Sequence, residues 1–141
     1  MIRVVLDTSV LVSAVISPSG PNAQVLDLIS IGKVRPYLTD AVLSEYYDVF
    51  ERRHLEHLDK RRIVRLRGIL EAVGVKVRSQ GRLRVSGHES DNRIYECAVA
   101  AKANYIVTEN TKDFPKPYKY TKIVNARQLL AIVKPGRKPI D

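Results

Sequence analysis

Apolar and polar residues follow two spacings along the chain, and these predict strands and helices in alternation. Residues 2–6 are apolar at almost every position and predict a buried strand. Residues 10–16 place apolar side chains at helical spacing. The same patterns predict further strands in "VRPYLT", "VKV" (75–77), "YIVT" and "KIVN", and further helices in "AQVLDLISIGK", "AVLSEYYDVFER", residues 58–73, "SDNRIYECAVAAKA" and "ARQLLAIV". Strands that alternate with helices indicate an α/β fold, with a parallel sheet covered on both faces.

Prolines and glycines mark the interruptions between these segments. The stretch "SPSGPN" predicts a turn, because Pro18, Gly20 and Pro21 are all unsuited to a helix interior. Pro36 weakens the strand prediction for "VRPYLT" or places that strand at an edge of the sheet. The polar stretch 79–89 predicts a loop.

Length and composition indicate one globular domain. The chain has 141 residues, and we expect residues 1–133 to form the domain, with a mobile basic tail at 134–141. No apolar run approaches the roughly 18 residues that a membrane span requires. The single cysteine, Cys97, excludes an internal disulfide and is compatible with a reducing cytoplasm, where we expect the protein to act.

The charge balance changes this picture. The formal net charge is +9, which favours encounter with polyanions, RNA and DNA above all. Lys60, Arg61 and Arg65 lie around an amphipathic helix and could follow a phosphate backbone, although a solvated helix face is the more ordinary explanation. Tyr118 and Tyr120 alternate with lysines in "PKPYKYTK", as aromatic residues do where single-stranded bases stack.

Acidic residues stand where the strands end or the helices begin. They are Asp7 after the first strand, Glu45 one turn into the third helix, Asp91 at the start of the fifth, and Asp113 after "YIVT". Each also has an ordinary structural explanation. Asp7 could cap a helix, Glu45 could be a solvated helix residue, Asp91 could interact with the helix dipole, and Asp113 could be a turn residue. In a parallel sheet, however, all four positions can converge on one edge.

Several carboxylates in one crevice cannot all remain ionised unless a proton or a cation compensates them. Carboxylate oxygens are hard ligands that suit Mg²⁺ or Mn²⁺, and these ions bridge to substrate phosphates. A metal held there would help to generate hydroxide from water for attack on phosphorus. An acidic pocket in a basic protein therefore suggests a nuclease.

Several of these stretches together resemble the PIN-domain family, and in particular the VapC-like toxins of toxin–antitoxin pairs. The resemblance covers residues 2 to about 130 and rests on "VVLDTSVLVSAVISPSGP", "LTDAVLSEYYDVFERR" and "SDNRIYECAVAAKANYIVTENTKDF". It implies a three-layer α/β/α fold with about five parallel strands. It also implies an Mg²⁺- or Mn²⁺-dependent endoribonuclease that forms a homodimer and is silenced by a small antitoxin protein.

Position by position, the resemblance assigns the acidic quartet to Asp7, Glu45, Asp91 and Asp113. Supporting polar positions fall on Thr8, Ser9, Thr108 and Asn110. Relatives often carry aspartate where this chain has Ser90 and Asn110, so the fourth acidic position here depends on Asp113. Two alternatives remain open: a non-catalytic module that binds RNA or a protein partner, and a DNA nuclease on the same fold.

Overall fold

A computed structural model of the chain describes residues 1–114 and 117–133. The described part contains five strands: β1 (Ile2–Leu6), β2 (Val34–Leu38), β3 (Val75–Lys76), β4 (Tyr105–Val107) and β5 (Lys122–Val124). It also contains six α-helices: α1 (Thr8–Ile16), α2 (Pro21–Ser30), α3 (Asp40–Phe50), α4 (Lys60–Val73), α5 (Glu89–Ala101) and α6 (Ala126–Val133). Short 3₁₀ turns follow α3 at Arg53–Leu55 and β4 at Thr111–Asp113. The predicted tail, 134–141, lies outside the described residues.

The strands form one parallel sheet in the order β3-β2-β1-β4-β5. The chain builds the sheet from β1 toward β3 and then returns to the other side of β1 with β4 and β5. The strand order therefore reverses between β1 and β4, and open α/β sheets bind ligands at the carboxyl ends of the strands at this kind of reversal. The predicted α/β/α fold with five parallel strands is confirmed.

Burial on both faces explains why the central strands are apolar at most positions. Val4, Val5 and Leu6 of β1 are fully buried, and so are Ile106 and Val107 of β4. Helices cover the sheet, with α1, α2 and α4 in mutual contact and α3 packed against α5. In the described ranges, no helix combines the length and the apolar composition that a membrane crossing requires.

Pro36 lies inside the sheet and not at its edge, because β2 has β1 on one side and β3 on the other. Pro36 pairs with Val4 of β1, whereas β3 begins only opposite Tyr37. The position on the β3 side of Pro36 is therefore unpaired, and the missing N–H of proline costs no ladder hydrogen bond.

The second helix is displaced from its predicted bounds. It begins at Pro21, inside the predicted turn, because proline at the first helical position lacks only an N–H that would have no intrahelical partner. It ends at Ser30, and Gly32 follows with a φ of +82°, which glycine adopts without strain. Lys33 consequently lies beyond the helix and not in its last turn.

Gly68, inside α4, and Gly74, directly after its last residue, provide a matched test of the packing. A Cβ at Gly74 would lie 2.4 Å from the carbonyl oxygen of Leu70 and 3.2 Å from Cδ2 of Leu38, whereas a Cβ at Gly68 would meet nothing within 4 Å. We expect Gly74→Ala to lower the free energy of unfolding by about 1–3 kcal/mol, since backbone must move. Gly68→Ala should raise it by about 0.5–1 kcal/mol through helix propensity. Urea denaturation of both variants measures the difference, and equal effects would contradict this packing.

Candidate functional site

Asp7 lies at the reversal point of the sheet and is fixed by its backbone and by two hydroxyl groups. Its N–H donates to the carbonyl of Val107 at 2.9 Å, which extends the pairing of β1 with β4. Its Oδ2 accepts from Ser9 Oγ and from Thr108 Oγ1, both at 2.8 Å. The carboxylate makes no capping hydrogen bond to α1, although Asp7 occupies the N-cap position. The capping interpretation of this side chain is therefore wrong.

The two hydroxyls join Asp7 to the segment that follows β4. Ser9 Oγ accepts from the N–H of Glu109 at 3.2 Å, and the buried Thr108 Oγ1 accepts from the N–H of Asn110 at 3.1 Å. Each hydroxyl thus donates to the carboxylate and accepts from the backbone, so both orientations are determined. Thr8, also predicted as a supporting residue, is half-buried at the first position of α1.

Asp91 is buried in the first turn of α5, with 9% of its surface exposed. Burial, together with the negative charges of Asp7 and Asp113, raises the pKa of Asp91 to about 6, while the nearby His88 and a hydrogen bond with Ser86 act in the opposite direction. Three of the four predicted carboxylates therefore share one electrostatic neighbourhood. Asp113 lies in the 3₁₀ turn after β4 and accepts from Asn110 Nδ2 at 2.7 Å.

Glu45 is in a different situation. Its Oε2 forms an ion pair with Arg52 Nη2 at 3.0 Å, near the far end of α3, with a third of the Glu45 side chain exposed. The charges that shift the pKa of Asp91 are those of Asp7, His88 and Asp113, and Glu45 is not among them. Glu45 thus lies on the predicted helix, but its carboxylate is paired with the Arg52 guanidinium and not with the other three carboxylates.

The acidic residues at this edge could hold a divalent cation only together with other ligands. Across residues 1–114 and 117–133, no three His, Cys, Asp or Glu side chains lie close enough together to hold one ion. Mg²⁺, however, usually keeps several waters and binds through one or two carboxylates together with substrate phosphates. Asp7 Oδ1 accepts no hydrogen bond from the described residues, and burial together with the charges of Asp7 and Asp113 raises the pKa of Asp91. The donor set therefore fits a hydrated divalent cation.

Two neighbours of the site, Glu109 and Tyr46, were not predicted from the sequence. Glu109 accepts from Ser13 Oγ and from Asn22 Nδ2, and Tyr46 donates its hydroxyl to the carbonyl of Leu6, immediately before Asp7. Glu109 could have been noticed as a second acidic residue inside "TENTKDF". Tyr46 carried no such signal, because its helical position predicts only a buried aromatic residue.

The predicted RNA-binding residues differ in their surroundings. Lys60, Arg61 and Arg65 are exposed on α4. Tyr120 has 54% of its surface exposed, whereas Tyr118 is half-buried and packs edge-on against Tyr95 with ring centroids 5.9 Å apart. Of the two tyrosines, Tyr120 is the one with a freely accessible ring.

A five-stranded parallel sheet with carboxylates gathered at its reversal point defines an α/β protein of the PIN-domain type. The family model described as "PIN domain" matches residues 3–112, and the chain belongs to that family. It is similar to the uncharacterized protein MJ1680 of Methanocaldococcus jannaschii, with 30% identity over 129 residues that cover 88% of this chain and 82% of that protein.

Two crystal structures share the fold. A chain of VapBC2 from Rickettsia felis, bound to a DNA fragment from its promoter, superposes with a TM-score of 0.58 at 18% identity, covering 88% of this chain and 98% of its own. A chain of DNA-bound VapBC from Salmonella typhimurium superposes with a TM-score of 0.58 at 15% identity, covering 89% and 99%. At these identities the likeness concerns the fold.

The pKa of Asp91 predicts a pH dependence of stability in protein freed of divalent cations. Because the folded-state pKa is raised to about 6, the folded protein retains a proton that the unfolded chain has released. The resulting stabilisation is complete below the unfolded-state pKa of about 4 and is lost as the pH rises through about 6. We expect Asp91→Asn to remove this loss and to raise the melting temperature at pH 8. Thermal melts at pH 5 and pH 8 measure it, with the exposed Asp48→Asn as control. Parallel pH profiles for wild type and Asp91→Asn would contradict the assignment.

Proposed function

We propose that this protein is a divalent-metal-dependent endoribonuclease that hydrolyses phosphodiester bonds of single-stranded RNA. The observation that carries the proposal is that Asp7, Asp91 and Asp113 come together beside the reversal point of the sheet, where burial and the charges of the other two raise the pKa of Asp91 to about 6. Carboxylates that lie close together at the ligand-binding edge of a sheet favour the binding of a metal cation. The cation can then bind a phosphate, which the carboxylates alone would repel. Membership of the PIN-domain family supports the same reading.

In this proposal the acidic residues bind the metal and their neighbours orient them. Ser9 and Thr108 hold Asp7 Oδ2 and leave Oδ1 for the ion, while Asn110 holds Asp113 in the same way. Glu45 would join the site only after exchanging its ion pair with Arg52 for the metal. Bound Mg²⁺ or Mn²⁺ would supply the positive charge that neutralises the phosphate and activates water.

The net charge of +9 supports RNA as the substrate, since the basic surface attracts the polyanion that the bare acidic edge repels. Lys60, Arg61 and Arg65 offer exposed cations, and Tyr120 offers an exposed ring for base stacking. We further propose that the protein is the toxin of a toxin–antitoxin pair, bound by a small antitoxin and active as a homodimer in the cytoplasm. The two VapBC complexes of the same fold support a protein partner.

Asp7→Asn tests the enzymatic part. It removes the charge at the reversal point but keeps an oxygen acceptor for Ser9 and Thr108, so the fold should persist. We expect cleavage of a single-stranded RNA in Mg²⁺ or Mn²⁺ to fall by at least about a hundredfold, as for loss of a metal ligand or its support. RNA affinity should change little. Gel assays of labelled RNA and of DNA of equal sequence measure the rate, and Asp48→Asn is the control.

The alternative of a non-catalytic binding module is favoured by one observation, the ion pair that occupies Glu45. Calorimetric titration with Mn²⁺ separates the two functions. A nuclease should bind the ion in the millimolar range or tighter, and more weakly after Asp91→Asn. RNA binding with no metal binding and no cleavage would leave the module as the function.

The basic face of α4 predicts a salt-dependent affinity. Replacing Lys60, Arg61 and Arg65 by glutamine should weaken RNA binding and reduce the slope of log K against log salt by up to about two. The matched control replaces Arg3, Lys33 and Arg35, which are exposed near the opposite end of the sheet. Fluorescence anisotropy at several salt concentrations measures both. Equal losses in the two triple variants would show that only net charge matters.

A further inference from the structure

A pocket of about 250 Å³ opens beside the acidic edge, between the end of α1 and the start of α2. Its volume greatly exceeds the roughly 30 Å³ that one water occupies. Neither Asp91 nor Asp113 contributes to its wall. Its lining includes Ser13, Ile16, Ser17, Pro21, Asn22 and Glu109.

The polar wall of this pocket is held in place but incompletely paired. The Glu109 carboxylate accepts from Ser13 Oγ and, at 3.1 Å, from Asn22 Nδ2. Asn22 is only 7% exposed, and its Oδ1 has no hydrogen-bond partner in the part of the chain that the structure describes. That oxygen is itself buried, so a ligand in the pocket meets the exposed carboxylate of Glu109, which Ser13 and Asn22 hold in place.

The chemistry of the wall restricts the ligand. The exposed carboxylate of Glu109 presents two acceptor oxygens, so a ligand must bring adjacent N–H donors, and the negative charge of Glu109 excludes a phosphate there. Ile16, 56% exposed, and Pro21 offer an apolar surface that suits the face of a flat ring. A planar group with an N–H edge satisfies both requirements.

The pocket is directly connected to the acidic edge. Ser9 Oγ donates to Asp7 Oδ2 and accepts from the N–H of Glu109, so one hydroxyl touches both sites. A nucleotide next to a phosphate held near Asp7 would therefore have the pocket within reach of its base.

We propose that this pocket is a specificity site for an unpaired guanine of the RNA, next to the phosphate at the acidic edge. Guanine is the RNA base whose Watson–Crick edge carries two adjacent donors, N1–H and the 2-amino group, whereas adenine, cytosine and uracil place an acceptor beside their donor. Single-stranded bases are read through this edge, and a site that hydrogen-bonds a donor strongly rejects analogues that lack it. The proposal rests on the RNA-cleaving function proposed above and adds its base preference.

The test measures binding without cleavage. In an Asp7→Asn background, anisotropy compares three labelled oligouridines that carry one central guanosine, inosine or adenosine. Inosine lacks the 2-amino group, and adenosine lacks both donors. We expect guanosine to bind about tenfold more tightly than inosine or adenosine, the effect of one hydrogen bond to a charged group. Adding Glu109→Gln, which turns an N–H₂ toward the base, should abolish the preference.

Matched variants separate the pocket from general effects. Glu56→Gln removes an equal charge at an exposed position and should leave the preference intact. Ile16→Ser, at an exposed position, should weaken guanosine and inosine binding equally, so the proposal remains testable if Glu109→Gln fails to fold. Thermal melts establish that each variant is folded.

The outcomes distinguish this proposal from the nuclease itself. Asp7-dependent cleavage without any guanine preference, or with a preference that survives Glu109→Gln, would overturn the pocket and leave the nuclease standing. A Glu109-dependent guanine preference without cleavage would support the guanine site but contradict the proposed nuclease activity. If Glu109→Gln abolished binding of an oligoarginine peptide but altered no RNA affinity, the pocket would belong to a cationic protein segment, and the proposal would be wrong.

Discussion

The pairing of β1 with β4 is the interaction on which the site depends. Leu6 lies opposite Val107, so the two strands end side by side where the strand order reverses. The N–H of Asp7 continues the pairing, and Thr108, 101 positions further along the chain, donates to its carboxylate. A shift of this register by one residue would move Asp7 away from both Val107 and Thr108 and would break the hydrogen bond from the Thr108 hydroxyl to its carboxylate.

This geometry carries an electrostatic cost. Asp91 is buried within reach of two other negative charges, and burial and these charges together raise its pKa to about 6, so its ionised form is disfavoured. Such perturbed groups concentrate at functional sites, because the charges that bind a cation also destabilise the protein without it. Within residues 1–114 and 117–133, by contrast, no lysine or arginine forms an ion pair with Asp7 or Asp91, and the cations of α4 such as Lys60, Arg61 and Arg65 are exposed.

Sequence reasoning recovered the positions of the acidic residues better than their partners. Asp7 and Asp91 could be placed because each adjoins a strongly patterned strand or helix. The ion pair of Glu45 with Arg52 could not, since it joins two residues seven apart near a helix end, a spacing that predicts no contact. Glu109 was missed because its partners, Ser13 and Asn22, lie 96 and 87 positions away.

Local patterns in the sequence were sufficient to determine the alternation of strands and helices, the parallel sheet and the apolar core, because these follow from periodicity and burial. They placed the start of α2 too late, inside the helix that begins at Pro21, and they took Pro36 to weaken β2 or to place it at an edge, whereas β3 in fact pairs beyond it. The tertiary structure alone decided which carboxylates lie close together, which of them are paired, and which polar groups have no partner among the described residues. Those contacts join residues far apart in the chain, and no local pattern encodes the distance between them.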